Sequence, residues 1–261
     1  MNKNKTNSGD TLTTDEITDA LAGIEAPEET GKFPEPMNEI VFVNDPERAE
    51  ILDDQVRYMI IQVLRRGMDD TCTTRDVDSE TGERIIRQRD VKRYSMSVVE
   101  IVRMSESHDD IDNITKNQVY HHLPKLIEGG YVVKFGTVTT GKRTTDYYRR
   151  TAKGFVLTVG EFGIDSKLMK KKTQHYIDLY TRVFDIKLSD ADEDNLMRLI
   201  AESMRIEHQG RSKIGQLIKG DVADKEVLSM YEDLVRLYAL GDDEWLKIQK
   251  KMREVLIPGS L

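Results

Sequence analysis

The chain of 261 residues is poor in cysteine and in long apolar runs. Its single cysteine, Cys72, cannot form an intramolecular disulfide, so a disulfide-stapled scaffold is excluded. No stretch approaches the ~20 consecutive apolar residues that a membrane-spanning helix needs, so we expect no membrane span. The first residues, MNKNKTNSGD, lack the apolar centre of a secretory signal. We therefore expect a cytoplasmic protein.

Acidic residues outnumber basic residues, since 39 basic and 47 acidic residues give a net charge of -8. An even distribution of that charge would argue against nucleic acid as a partner. The distribution is uneven: residues 113–154 carry eight basic and two acidic side chains, a net +6, whereas 1–38, 39–112 and 155–261 are each net acidic. An anionic partner is therefore expected at residues 113–154.

The distribution of charged, proline and apolar residues divides the chain into three regions. Residues 1–38 are acidic and contain three prolines close together, which predicts a disordered arm. Residues 39–160 show a helix from Asp45-Pro46 to Gly67, a short helix, a polar turn, a second helix and two strands, which is the order of a winged helix-turn-helix domain. Residues 161–261 show helical periodicity throughout. The expected fold is mainly α with a small β-wing, followed by an all-helical domain for dimerisation or effector binding.

Two motifs carry a resemblance to a known family. Residues 114–132, ITKNQVYHHLPKLIEGGYV, resemble the recognition helix of ArsR-like and PadR-like transcriptional regulators, and residues 146–154, DYYRRTAKG, resemble the end of their wing. The resemblance covers about residues 45–160. It implies a dimer on a palindromic operator. Two departures stand out: Pro124 lies inside the helix and predicts a kink, and Arg150 stands where the family has a buried leucine.

The candidate DNA contacts are polar side chains of the second helix and the wing. Inward positions Val119, Leu123, Leu126 and Ile127 leave Asn117, Gln118 and His121 toward base edges, where Asn and Gln can pair with adenine. Thr115 and Lys116 are expected at phosphate, Lys142 and Arg143 at the wing tip, and Tyr147 and Arg149 outward if Tyr148 is inward. The full candidate set is Thr115, Lys116, Asn117, Gln118, Tyr120, His121, Lys125, Lys142, Arg143, Tyr147 and Arg149.

Other chemistry is disfavoured. Adjacent His121 and His122 do not share a helix face, and the remaining histidines lack zinc spacing, so we expect no metal. Residues 136–143, GTVTTGKR, nearly match a phosphate-binding loop, but Arg143 replaces the hydroxyl that holds magnesium. We expect no cofactor and no catalysis. Residues 77–86 predict two short strands around a turn, with the arginines of 68–93 solvated and paired to nearby acids.

The preferred function is a sequence-specific DNA-binding transcriptional regulator. The recognition helix, residues 115–128, is expected in the major groove, and the wing, residues 132–150, on the backbone or minor groove of double-stranded DNA. A homodimer is expected on the palindromic operator, with a possible effector of unknown chemistry. The alternative is a winged-helix module that binds protein in transcription or chromosome machinery, which the acidic total favours.

Overall fold

The computed structural model describes residues 21, 23–107, 113–159, 167–184, 186–220 and 222–257. The strands are β1 (Ile24–Glu25), β2 (Asn38–Val43), β3 (Met68–Val77), β4 (Arg84–Arg93), β5 (Met96–Ser97), β6 (Val132–Thr140), β7 (Arg143–Arg150), β8 (Ala152–Leu157) and β9 (Val222–Ala223). The helices are α1 (Pro46–Glu50), α2 (Gln55–Arg66), α3 (Val98–Glu106), α4 (Lys116–Glu128), α5 (Lys167–Val183), α6 (Asp190–Gly215), α7 (Lys225–Ala239) and α8 (Asp243–Leu256).

The chain divides into two compact units, and the division is not sequential. The first unit contains residues 1–38 and 54–153, and the second contains 39–53 and 154–261. We expected residues 39–160 to form one domain and 161–261 another. Residues 39–53 instead belong with the C-terminal unit, because β2 pairs with β9 of that unit.

The expected fold class, mainly α with a small wing, is wrong. The described residues contain three sheets, with strand orders β1-β6-β7-β5, β8-β2-β9 and β3-β4. The second unit is therefore not all-helical. Its central strand β2 ends in the apolar run Ile40 to Val43, which is buried, and it pairs with segments more than a hundred residues away. A run of this length has no alternation, so periodicity could not identify it.

The first unit keeps the predicted order of helices and hairpin. Helices α2, α3 and α4 are followed by the β6–β7 hairpin, which we call the wing. The helix predicted from Asp45 to Gly67 is interrupted: α1 ends at Glu50, a single 3-10 turn follows, and Asp54 caps α2 by accepting the backbone N–H of Arg57 at 2.9 Å. Leu52 is buried in the turn between the two helices.

The acidic residues before β2 are not all a disordered arm. Residues 23–38, which we call the N-terminal segment, contain β1, which pairs antiparallel with β6 through Ile24 and Glu25. Phe33 of this segment lies with its ring 5.4 Å from that of Phe135. The disorder prediction is therefore wrong for this segment, while residues 1–20 lie outside the described residues.

Strands β3 and β4 form a separate hairpin, which we call the ribbon. Its ten cross-strand pairs run from Met68 opposite Arg93 to Val77 opposite Arg84, so it is much longer than the strands predicted at 77–86. Surface ion pairs join Arg87 to Asp76 and Lys92 to Asp69, both at 2.8 Å. This agrees with the prediction that nearby acids pair with the ribbon's basic residues.

The buried side chain of Arg93 holds the base of the ribbon. Its guanidinium donates to Asp70 at 2.6 Å, to Glu100 of α3 at 2.7 Å and to the carbonyl of Ser95. Burial lowers the pKa of Arg93, but the hydrogen bonds and charges of Glu100 and Asp70 outweigh it and raise the pKa above its ordinary value. The ribbon is thereby tied to the start of α3.

The second unit is built around the 26-residue helix α6, which packs against α5, α7 and α8. Its sheet packs on α7, where Ile40 and Phe42 meet Tyr231 and Val235. None of the helices in the described ranges is long and apolar enough to cross a lipid bilayer.

Candidate nucleic-acid interface

Helix α4 is positioned by buried contacts at its start and along one face. Ser105 of α3 donates to the carbonyl of Val102 at 2.7 Å and accepts the backbone N–H of Ile114 at 3.1 Å. Val119, Leu123 and Leu126 are buried, as predicted. The opposite face of α4 is therefore fixed outward.

The N-terminus of α4 is closed by a capping box. The hydroxyl of Thr115 accepts the backbone N–H of Gln118 at 3.3 Å and donates to its amide oxygen at 2.8 Å, and that oxygen also accepts the N–H of Thr115 at 2.9 Å. A bidentate contact with adenine needs both the oxygen and the nitrogen of an amide. Gln118 is therefore committed to the cap and cannot read adenine in this conformation.

The exposed face of α4 carries five of the candidate residues. They are Lys116, Asn117, Tyr120, His121 and Lys125. Asn117 and His121 are one turn apart and lie on the same face, and Tyr120 is 59% exposed. Lys125 pairs with Glu128 at 2.8 Å, on the exposed surface. Asn117 and His121 therefore present hydrogen-bonding groups that the cap does not use.

Two positions of α4 differ from a simple amphipathic pattern. Ile127, expected inward, is 41% exposed. His122 is half-buried, and its Nδ1 lies 3.6 Å from Asp54 Oδ1 at the N-terminus of α2. The helix continues past Pro124 to Glu128, and the kink that this proline predicts stays a prediction.

The wing is a regular hairpin with a basic tip. Its register runs from Val132 opposite Arg150 to Thr140 opposite Arg143, with a bulge between Lys134 and Gly136. The two-residue turn places Gly141 at φ +62°, a left-handed conformation that favours glycine. Lys142 and Arg143 are exposed at this tip, as the sequence predicts.

Arg149 does not face outward, so that expectation is wrong. The residue is 1% exposed, its guanidinium lies over the ring of Phe135 at 5.1 Å, and it donates to the carbonyl of Glu35. Arg150 is buried as well and donates to the carbonyl of Lys153 at 2.9 Å. Alternation along β7 could not show this, because the N-terminal segment covers the face that was expected to be open.

Tyr147 is half-buried and lies at the contact between the wing and the base of the ribbon. The guanidinium of Arg93 is 5.6 Å from the centre of its ring. Burial is the main cause that raises the pKa of both Tyr147 and Tyr148. Both hydroxyls therefore stay protonated near neutral pH and can donate hydrogen bonds.

The basic charge that reaches the surface is smaller than the sequence count. With buried Arg149 and Arg150 removed, residues 113–154 retain six basic and two acidic side chains, a net +4. Lys134 is also paired, with Asp146 at 3.1 Å and Glu29 at 3.6 Å, and these partners raise its pKa. Of the basic residues in 113–154, those exposed are Lys116 and Lys125 on α4, Lys142 and Arg143 at the wing tip, and Lys153.

The contact between the N-terminal segment and the wing was missed by sequence reasoning. A Cβ atom at Gly136 would lie 2.6 Å from the carbonyl oxygen of Glu25 and 2.8 Å from the side chain of Ile24. Only glycine fits there without a shift of β1 or of β6. A glycine inside a strand pattern is a signal of close backbone approach, and Gly136 carried that signal.

The described residues offer little for metal or effector binding. They contain no group of three or more His, Cys, Asp or Glu side chains placed to hold a metal ion. A groove of about 260 Å³ lies between α5 and α6, and charged side chains of both signs line it, including Lys170, Asp194, Arg198 and Glu202. This groove is smaller than the ~300 Å³ at which small-molecule sites usually begin.

Comparison with known proteins adds no family to this geometry. No protein-family model matches the chain, and no curated protein is significantly similar to it.

Proposed function

We propose that the protein is a sequence-specific transcriptional regulator that binds double-stranded DNA through α4 and the wing. One observation carries the proposal. An exposed helix face with Lys116, Asn117, Tyr120 and His121 lies in the same unit as an exposed basic hairpin tip, within a chain of net charge -8. The major groove of B-DNA admits an α-helix, and polar side chains on such a helix read the base edges.

The first two turns of α4 supply the contacts to DNA in this proposal. Asn117 pairs with adenine, a contact that discriminates by about 1–3 kcal/mol against the wrong base. His121, one turn later, donates to or accepts from a neighbouring base. The backbone N–H groups of Lys116 and Asn117 precede the first intrahelical hydrogen bond, from Val119 to Thr115, and they can donate to a phosphate.

The wing supplies contacts that position the domain without reading sequence. Lys142 and Arg143 extend from the tip to the DNA backbone or the minor groove. Arg149 does not contact DNA in this proposal. From its buried site it holds the wing to the N-terminal segment and so positions the tip. Thr115 and Gln118 likewise orient α4 through the cap.

The remaining parts of the proposal concern the assembly and the compartment. A homodimer with its two α4 helices about 34 Å apart would match a palindromic operator. A regulator acts where the DNA is, so the proposal includes a cytoplasmic location.

Substitution of the exposed face of α4 tests the proposal. The variant Asn117→Ala/His121→Ala keeps the capping box intact, and we expect it to lose at least about 10-fold in affinity for a selected operator and to bind random DNA unchanged. The control variant Gln88→Ala/His175→Ala removes an exposed amide and an exposed imidazole elsewhere. Equal operator affinity of the two variants would contradict the proposal.

A second candidate function is a protein-binding module, and one observation favours it. Glu25 and Glu29 of the N-terminal segment lie along the wing, and Glu29 is 3.6 Å from Lys134. The negative charges of these two residues weaken the attraction between that side of the wing and DNA. If the protein binds a basic protein partner through this side, reversal of the charges of Glu25 and Glu29 abolishes that binding. The variant Asn117→Ala/His121→Ala then binds the same partner as the wild type does. Operator binding by the wild type excludes this as the sole function.

A further inference from the structure

Helix α7 is apolar on two faces, and one of them is already occupied. Tyr231, Val235 and Ala239 are buried in the second unit. Tyr238 approaches α6 closely, since a Cβ atom at Gly210 would lie 2.7 Å from its ring. Arg211 of α6 also forms a two-bond ion pair with Glu232, at 2.7 and 2.8 Å. The orientation of α7 is therefore fixed by its inner face.

The outer face of α7 carries a second apolar row. Val227, Met230, Leu234 and Leu237 are 39%, 65%, 45% and 63% exposed. We call these four residues the α7 stripe. Their spacing of three, four and three residues is that of the a and d positions of two heptads, the pattern of a helix seam. A single exposed leucine needs no explanation, but a continuous row of this kind marks an interaction site.

We propose that the α7 stripe is the dimer seam of this protein, packed antiparallel against the α7 stripe of a second copy. A two-fold axis level with Glu232 sets Met230 against the second copy's Leu234, and Val227 against the second copy's Leu237. The a and d positions of the two helices then meet in every layer, as antiparallel packing requires. The row is thus complementary to itself, which a two-fold interface requires of a surface patch.

The polar side chains beside the stripe also fit a second copy. Asp233 and Arg236 pair at 3.4 Å and are both well exposed. An antiparallel axis level with Glu232 sets Arg236 of each copy about 3 Å along the helix from the level of Glu226 of the other copy, so this pair can form across the seam. A stable interface buries about 800 Å² on each partner and has an apolar centre within a polar rim. The α7 stripe supplies that centre, and Glu226, Asp233 and Arg236 supply part of the rim.

Helix α5 offers the competing apolar row, with Tyr176, Val183 and Phe184 exposed. Its surroundings are described less completely, because residues 160–166 and 185 lie outside the described residues. The α5 row also brings Tyr180 and Phe184 into ring contact at 6.4 Å within the same helix. Its exposed row has three members, against four on α7. Variants of α5 therefore serve as matched controls.

This inference supplies the dimer on which the proposed function relies, but its test needs no DNA. We expect sedimentation equilibrium of the whole protein to give the mass of two chains at micromolar concentration. The variant Met230→Glu/Leu237→Glu should raise the dimer dissociation constant about 100-fold or more, because it places like charges in the seam. The control Tyr176→Glu/Val183→Glu should stay dimeric. Unchanged circular dichroism shows that both variants are folded, since all four positions are exposed.

Cross-linking tests the antiparallel arrangement. In a Cys72→Ala background, Asp233→Cys lies near the proposed axis and should be joined to its equivalent by a short bismaleimide. Glu226→Cys should not, because antiparallel packing separates the two copies of this position by about 15 Å more along the helix. A monomeric wild type, a dimer that survives Met230→Glu/Leu237→Glu, or equal cross-linking at both positions would overturn the proposal. Loss of DNA binding with an intact dimer would instead count only against the proposed function.

Discussion

The wing and the ribbon are both antiparallel hairpins, with strands of eight to ten residues and a glycine in the turn. They differ in what surrounds them. The wing is flanked on both edges, by β1 next to β6 and by β5 next to β7. Among the described residues the ribbon has two strands and no third strand on either edge. An isolated two-stranded hairpin is at best marginally stable in water, so the ribbon depends on its base.

Their charges differ in the same way. The wing exposes Lys142 and Arg143 at its tip, whereas the ribbon turn carries Asp78, Glu80 and Glu83. Asp78 accepts the backbone N–H groups of Thr81 and Glu80, and these hydrogen bonds lower its pKa, so it stays ionised near neutral pH. We expect that the number of arginines in a hairpin does not by itself identify a DNA contact. What matters is whether acids on the facing strand already pair with them.

The largest expected effect concerns the base of the ribbon. Arg93→Ala leaves Asp70 and Glu100 without their buried partner, and loss of one member of a buried ion pair costs about 3–5 kcal/mol. Arg87→Ala breaks an exposed pair within the same ribbon and should change stability by less than about 0.5 kcal/mol. Urea unfolding measures both. Similar losses for the two variants would show that the ribbon is not held at Arg93.

The next effect separates the two hairpins as DNA contacts. Lys142→Glu/Arg143→Glu at the wing tip should lower DNA affinity about 10- to 100-fold and reduce the log-log salt slope by about 2. Arg84→Glu/Arg87→Glu in the ribbon should leave affinity within about twofold. Fluorescence anisotropy over a salt series gives both quantities. If the ribbon variant has the larger effect, the assignment of the two hairpins must be exchanged.

A smaller effect is expected where the N-terminal segment covers the wing. Gly136→Ala places a methyl group 2.6 Å from the carbonyl of Glu25, and we expect a loss of about 1–3 kcal/mol as β1 is displaced. Hydrogen exchange should then increase in residues 23–38. Gly154→Ala is the control, because its nearest contacts at 3.7 Å are ordinary. Unchanged exchange in the Gly136 variant would contradict the packing of β1 on β6.

The smallest effect compares the two turns. Gly141 of the wing and Gly82 of the ribbon both have positive φ with open space around the Cβ position, so alanine costs each turn about 1 kcal/mol. In the wing this cost should lower the free energy of global unfolding. In the ribbon it should appear only as faster hydrogen exchange near the turn, because the tip can fray by itself. Equal global losses would show that the ribbon is as firmly held as the wing.

Local signals in the sequence predicted α4 and the wing well. The helical spacing of Val119, Leu123 and Leu126 predicted the buried face of α4, and Lys142 and Arg143 were expected at the wing tip, where they lie. Each of these signals acts within a few residues of its effect. The exposed residues of α4 followed from the same helical spacing, with the exception of Gln118, whose side chain the cap uses.

The failures have a common cause in long-range contacts. The burial of Arg149 depends on Phe33 and Glu35, more than a hundred residues earlier in the chain, and the pairing of β2 depends on β8 and β9. The ribbon was underestimated because its strands are polar on both faces and show no alternation, although backbone pairing alone extends them from Met68 to Arg93. Charge counting overestimated the basic surface because it cannot show which arginines are buried.

Selection of bound fragments from random double-stranded DNA, followed by affinity against salt concentration, tests the central claim most directly. The proposed contacts of α4 and the wing predict one enriched sequence, with affinity that falls steeply as salt rises. Absence of any enriched sequence together with a log-log slope near zero would contradict it.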